Sequence, residues 1–317
     1  MNPEDRIIKK IQSELANARR DVQDEAGRVR LQEVLGNYKG EYELVWSDDL
    51  LKEIKERPVV SSHKLGLQSI DDVTGGFREQ QLITLSAHSK HGKTAMSLFL
   101  MKQLEVLKPV LIPLEQNAEE LLVQREQNGQ FVPLFLSPRR NAAKVSVEWI
   151  EERVVEGIAK HGTRMVVIDH LGYINDFGDN SKYARENLAY RLQIVMQELK
   201  MLAKRWNVLI VLLCHIQQAD EGKPPTLADL KGSSAILQES DKVLLLWIKN
   251  ALKKKVRVYD TKVLLSVAAN RQTGTRGNIG LNFNKQTGEY FEDNSWVEAM
   301  MKAAESEVAM DDEFDGV

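Results

Sequence analysis

Six short apolar runs constrain this chain more than any other feature. They are Leu82–Leu85, Val110–Leu114, Met165–Ile168, Val208–Leu213, Val243–Ile248 and Val263–Val267. Little in them alternates with polar residues, so each reads as a strand buried on both faces. Between them the apolar residues take helical spacing, as in Leu192, Met196, Leu199, Ala203 and Trp206. Buried strands alternating with helices imply an α/β fold with a wound, mostly parallel sheet and flanking helices. Ligands of such sheets bind outside the carboxyl ends of the strands, and the chemistry is expected there.

Composition narrows the class further. A chain of 317 residues gives room for one large α/β domain or two small ones. With 43% hydrophobic and 28% charged residues it can bury an ordinary core, which excludes a disordered or fibrous protein. The net charge of −3 removes a whole-chain basic signature for nucleic acid and leaves local patches open. The longest apolar run, Val208 to Cys214, is far short of the roughly 20 residues that cross a bilayer. The opening MNPEDRIIKK is too charged for a signal peptide. Cys214 is the single cysteine and reads as a small core hydrophobe in a reducing compartment. A cytoplasmic protein with no membrane partner is expected.

The two ends differ from the middle. The first sixty residues are densely charged, and Ile7, Ile8, Ile11 and Leu15 are spaced for a helix. Such a segment is either a solvated arm or a helix that docks on a neighbour. Residues 305–317 hold six acids and no base, a composition that stays solvated or recruits a partner through Phe314. The expected division is a charged helical arm over 1–60, an α/β domain over 61–300 and an acidic tail over 301–317.

The run AHSKHGKT follows the first strand and leads straight into a helical pattern. It comprises Ala87, His88, Ser89, Lys90, His91, Gly92, Lys93 and Thr94, close to the phosphate-cradling pattern G-x-x-x-x-G-K-[ST] but with Ala87 in place of the first glycine. Gly92 lets backbone N–H groups curl around phosphate oxygens, and the helix N-terminus adds its dipole. Lys93 can reach the β- and γ-phosphates, and the Thr94 hydroxyl can ligate Mg²⁺. A bare GKT also occurs by chance in loops; strand, loop and helix in this order favour ATP with Mg²⁺. Asp169, ending the strand MVVID, is the candidate second metal ligand, against the plainer role of capping a turn. Glu115, ending VLIPLE, can align or deprotonate a water, or merely flank the helix start at Asn117–Glu120, which resembles a capping box. His215 follows the apolar run of Cys214 and is either a satisfied core-edge residue or a contact to the γ-phosphate.

Taken together, these motifs resemble the motor domain of DnaB-type replicative helicases, within the RecA-like superfamily. The resemblance begins with LGLQSIDDVTGGFREQQLITLSAHSKHGKT and continues through PLEQ, VVIDHL, CHIQQ and LADLKGSSAILQESD. It ends with NRQTGTRGNIGLNFNKQTGEYFE, and its last two segments most resemble the phage and mitochondrial Twinkle branch. It implies Lys93 and Thr94 for triphosphate and Mg²⁺, Glu115 as the catalytic carboxylate, Asp169 as the second metal-side acid and His215 as a γ-phosphate sensor. It also implies Arg271 as an arginine finger reaching the neighbouring subunit, which requires a homo-oligomeric ring, a hexamer in the family. The lysine that often stands two residues before that finger is Ala269 here, and Arg276 is a candidate substitute. The stretch between Glu115 and Asp169 is shorter than usual, and neither a primase domain nor a DnaB-like N-terminal helical domain is expected.

For single-stranded DNA the resemblance points to the loop from Gly172 to about Arg185 and the loop from Gln217 to Lys231. Lys223, Lys231, Gly232 and Ser233 are the candidate contacts, with an ordinary polar loop as the alternative. Lys249 to Arg276 is locally basic, and Lys253–Lys255 tips an expected hairpin. The function implied is an ATP-dependent ring helicase or translocase on single-stranded DNA, hydrolysing ATP at subunit interfaces in DNA replication, with replication partners on the arm or tail. The alternatives are a RecA/RadA- or KaiC-like ATPase without unwinding, and a scaffold that ATP assembles.

Overall fold

The computed structural model describes residues 45–56, 62–131, 135–136, 145–174, 188–216, 220–230, 233–253 and 256–300. The chain divides into two compact units, residues 1–60 and 61–317. In the first, α1 (Ser47–Glu56) starts on Asp48 and Asp49 and ends near Lys55, charges that complement the helix dipole at each end. Leu50, Leu51 and Ile54 give it an exposed apolar stripe. The arm helix expected over Ile7 to Leu15 and the acidic tail lie outside the described residues.

The second unit is built on a nine-stranded sheet in the order β3-β2-β4-β5-β1-β6-β7-β8-β9. The strands are β1 (Leu82–Ala87), β2 (Val110–Pro113), β3 (Phe135–Leu136), β4 (Met165–Asp169) and β5 (Leu209–His215), followed by β6 (Lys242–Lys253), β7 (Val256–Asn270), β8 (Gly277–Asn284) and β9 (Glu289–Glu292). The strands from β3 to β6 run parallel, and β7, β8 and β9 add an antiparallel edge. Helices α2 (Gln68–Thr74), α3 (Lys93–Gln103), α4 (Ala118–Gln127), α5 (Val147–His161), α6 (Leu188–Arg205) and α7 (Ser233–Glu239) flank it.

Period-two alternation explains the continuous apolar runs. In β5, Leu209, Val211 and Leu213 enter one hydrophobic cluster, while Ile210, Leu212 and Cys214 enter another on the opposite face. Ile83 and Leu85 of β1 join the first cluster and Leu82 the second. Met196, Leu199 and Ala203 project from α6 into the second cluster, as their spacing predicts, and Trp206 packs on it just past the helix end. Burial pushes the Cys214 thiol up to about 12, which makes it a core residue rather than a reactive thiolate.

The predicted strands all appear, with different limits. Val243–Ile248 and Val263–Val267 extend to β6 and β7 because the two pair as a long antiparallel ladder that continues past the core. Lys254 and Lys255, at the expected hairpin tip, lie outside the described residues. Among the described residues, no helix is long and apolar enough to cross a membrane.

Ile210, the second residue of β5, has no exposed surface. Ile210→Ala is expected to destabilise the second unit by about 2–5 kcal/mol, read from chemical denaturation, because little can collapse into the cavity between strand and helix.

Candidate active site at the carboxyl edge of the sheet

β1 and α3 are joined by the loop of Ala87 to Thr94. Lys90 and Gly92 carry positive φ of 63° and 80°. At Gly92 a β-carbon would find room, its nearest neighbour being Ile248 at 3.5 Å, so backbone conformation selects glycine there. His91 is fully buried and its Nδ1 accepts from the Ile248 N–H at 3.1 Å, which ties the loop to β6. His88 is also buried, while Ser89 and Lys90 are exposed at the tip.

Lys93 points back into the loop. Its Nζ donates to Ala87 O (3.2 Å) and His88 O (3.1 Å) and lies 3.0 Å from His215 Nδ1. Desolvation pushes its pKa down, and the carboxylates of Asp169 and Glu115 oppose that. The Thr94 hydroxyl donates to Asp169 Oδ2 at 2.9 Å. Asp169 is 2% exposed, and its Oδ1 has no hydrogen-bond partner among the described residues. Burial raises its pKa, with the Thr94 hydrogen bond acting the other way. A hydroxyl beside a buried carboxylate with one unsatisfied oxygen is an all-oxygen donor set that fits Mg²⁺.

Glu115 stands two residues past the end of β2, its N–H held by Asp169 O at 3.0 Å. Its carboxylate is half-exposed and lies 3.4 Å from His215 Nε2 and 3.9 Å from His170 Nε2. Asn117 caps α4 by accepting from Glu119 N–H at 2.9 Å, so the helix start is capped without Glu115. His215 therefore lies between Lys93 and Glu115. Desolvation and the Lys93 ammonium hold its pKa below the usual histidine value.

His170 is the site residue that the motif reading missed. It sits beside Asp169 and packs edge-on to His215, ring centroids 4.1 Å apart. Burial first, and His215 next, lower its pKa from 6.5 to about 4. The sequence signal was only its place after Asp169; that β5 runs beside β4 and brings the two rings together is a tertiary fact.

Arg271 is not part of this cluster. Asn270 pairs with Lys242, and Lys242 with Ile83, which puts the end of β7 at the amino edge of the parallel strands. The six residues of β1 then separate Arg271 from the phosphate loop of its own chain by roughly 17 Å. Arg271 is exposed, with its N–H on Asp241 O (2.8 Å) and its guanidinium on Gln238 O. Close by, Lys242 is fully buried, donates to Gln81 Oε1 at 3.0 Å and is pushed down to about 8 by desolvation, a second polar position that the motifs did not signal. Ala269 packs on the core and Arg276 is exposed. Lys223 is exposed in the loop after β5, and Ser233 opens α7; Lys231, Gly232, residues 217–219 and residues 175–187 lie outside the described residues.

Two predictions follow from this geometry. Gly92→Ala should cost on the order of 1–2 kcal/mol in chemical denaturation, because alanine must hold a left-handed backbone. His170 is protonated less readily folded than unfolded, so its contribution to stability is complete above its ordinary 6.5 and is lost as the pH falls through about 4. Thermal unfolding across that range should fall less steeply in His170→Phe than in the parent.

Residues 130–292, just over half of the chain, match the family described as DnaB-like helicase C terminal domain. The replicative DNA helicase DnaB of Mycoplasma genitalium is 25% identical over 268 residues, taking in 73% of this chain and 56% of that protein. For the DnaB of Treponema pallidum the identity is 26% over 212 residues, 57% of this chain and 47% of that one. The chain thus spans about half the length of these curated relatives. Among solved structures, the ATPase domain of G40P superposes with a TM-score of 0.63 at 19% identity, covering 79% of this chain and 100% of that one. A DnaB-like replicative helicase, solved with attention to its interactions with primase, gives 0.58 at 19%, covering 90% and 75%. These two likenesses show the fold, a RecA-like mixed sheet with flanking helices, and the matched residues show that the chain belongs to the DnaB-like helicase C-terminal domain family.

Proposed function

We propose that this chain is the motor of an ATP-dependent ring helicase that translocates on single-stranded DNA in replication, with ATP hydrolysed between subunits. In this reading residues 61–300 are the motor, 1–60 an arm that docks on the next subunit, and 301–317 a tail for replication partners. The observation that carries it is the gathering of Lys93, Thr94, Asp169, Glu115 and His215 at one edge of the sheet, with Arg271 on the opposite edge. A nucleotide site that holds its acid, base and lysine but lies roughly 17 Å from its arginine is completed by a second copy.

Each residue has a step. Lys93 exchanges its loop carbonyls and His215 for the β- and γ-phosphate oxygens, and its partial desolvation strengthens that contact. Thr94 and Asp169 would hold Mg²⁺, which neutralises charge on the phosphates. Glu115 orients the attacking water and takes its proton. His215 touches both Lys93 and Glu115, so loss of the γ-phosphate changes its hydrogen bonds, and the chain runs directly from it into the segment bearing Lys223, Lys231, Gly232 and Ser233, the candidate DNA contacts. Arg271 of the adjacent subunit stabilises transition-state charge. Around a hexamer even one such lysine becomes a ladder, so a chain of net charge −3 still engages DNA. The bacterial source of the two DnaB relatives fits a bacterial cytoplasm.

ATP hydrolysis is expected to rise with single-stranded DNA and to vanish in Lys93→Ala; undiminished turnover in that variant would refute the phosphate-loop assignment. Arg271→Ala should lose about 10³-fold in rate or more. Mixing these two inactive variants should restore part of the activity, since intact interfaces then form between unlike subunits. A mixture as inactive as its components would sink the shared site.

A further inference from the structure

We propose that Glu115, His170 and His215 form a second metal centre, selective for a borderline divalent ion of the zinc class and separate from the oxygen ligands of Thr94 and Asp169. One ligand atom from each residue converges so that all three lie within 4.8 Å of one another. The two contacts to the Glu115 carboxylate, 3.4 and 3.9 Å, are long for hydrogen bonds. They suit ligands around a shared ion: atoms about 2.1 Å from a tetrahedral zinc stand roughly 3.4 Å apart. His215 and Glu115 are already at that spacing, and His170 must close on the carboxylate by about half an ångström. His170 Nδ1 has no hydrogen-bond partner among the described residues, so no hydrogen bond to that nitrogen opposes the shift.

Donor chemistry separates the two centres. Imidazole nitrogens favour zinc, cobalt or nickel, whereas Mg²⁺ requires oxygen ligands and nearly ideal octahedral geometry. The Glu115 carboxylate, itself a ligand, offsets the ion's charge beside the Lys93 ammonium. Coordination through His215 Nε2 puts that ring's proton on Nδ1, so Lys93 gives up that contact and keeps its two loop carbonyls, Ala87 O and His88 O. Three protein ligands leave one position open for water, as in catalytic rather than structural zinc sites. Binding itself is independent of the ATPase reading. Its consequence rests on that reading: an ion on Glu115 occupies the carboxylate that orients water, and so arrests hydrolysis.

The test titrates Co²⁺ into the untagged, nucleotide-free full chain and follows the visible ligand-field bands. One ion per chain, retained under excess Mg²⁺, is expected. His170→Asn and Glu115→Gln should each weaken binding about tenfold or more, with circular dichroism confirming the fold. Asp169→Asn should leave it unchanged. If His170→Asn fails to fold, His215→Asn carries the same expectation. The proposal is overturned if the parent binds no Co²⁺, if Mg²⁺ displaces it, or if the folded histidine variants bind like the parent. In a parallel arm, Zn²⁺ should inhibit Mg²⁺-supported ATP hydrolysis, with a chelator restoring it. A chain that hydrolyses no ATP would defeat the ATPase reading and leave the Co²⁺ result standing.

Discussion

Strand β1 is enclosed on all sides, and the rest of the large unit is arranged around that fact. It pairs with β5 on one edge and β6 on the other, and a hydrophobic cluster covers each of its faces. A strand so placed carries little polar function along its length, because every buried polar group there needs a partner. Ser86 and Thr84 comply, the first donating to Cys214 O and the second paired with Ser240. Polar chemistry is driven to the two ends of the strand. One end opens into the loop of Lys93, and the other lies beside the turn that carries Arg271.

At the carboxyl end, charges are held in partial compensation. Lys93 is buried with two carbonyls and an imidazole as partners, and Asp169 is buried with one hydroxyl. Burial lowers the lysine's pKa and raises the acid's, so each group resists its charged state and each gains from a counter-charge that the chain does not itself supply at contact distance. A triphosphate with its cation has that charge distribution. This electrostatic incompleteness is a stronger pointer to function than the GKT pattern, which states only residue types.

Much of this was legible before the structure. The strand cores were visible because residues buried on both faces have to be continuously apolar, and Lys93, Thr94, Asp169, Glu115 and His215 were visible because each follows or ends such a run. The limits of β6 and β7 were less so: an antiparallel ladder beyond the core needs only backbone pairing, and Tyr259 and Arg257 leave no apolar signature. His170 carried no signal of its own, since a histidine after a strand-end aspartate is an ordinary turn residue until β5 brings His215 to it. Lys242, at the start of β6, carried no signal either; it is fully buried, with its ammonium on Gln81 just ahead of β1.

The amino-acid sequence by itself determined the alternation of strands and helices and the chemical identity of the phosphate loop, because burial and backbone conformation act locally and write periodicity and glycine into the chain. Only the tertiary structure decided which side chains meet. Strand order put Glu115, His170 and His215 together from three different strand ends, and it put Arg271 at the far edge from Lys93. Those relations depend on which strand lies beside which, and no local pattern encodes that, because the same run of apolar residues serves equally well at any interior position of a sheet.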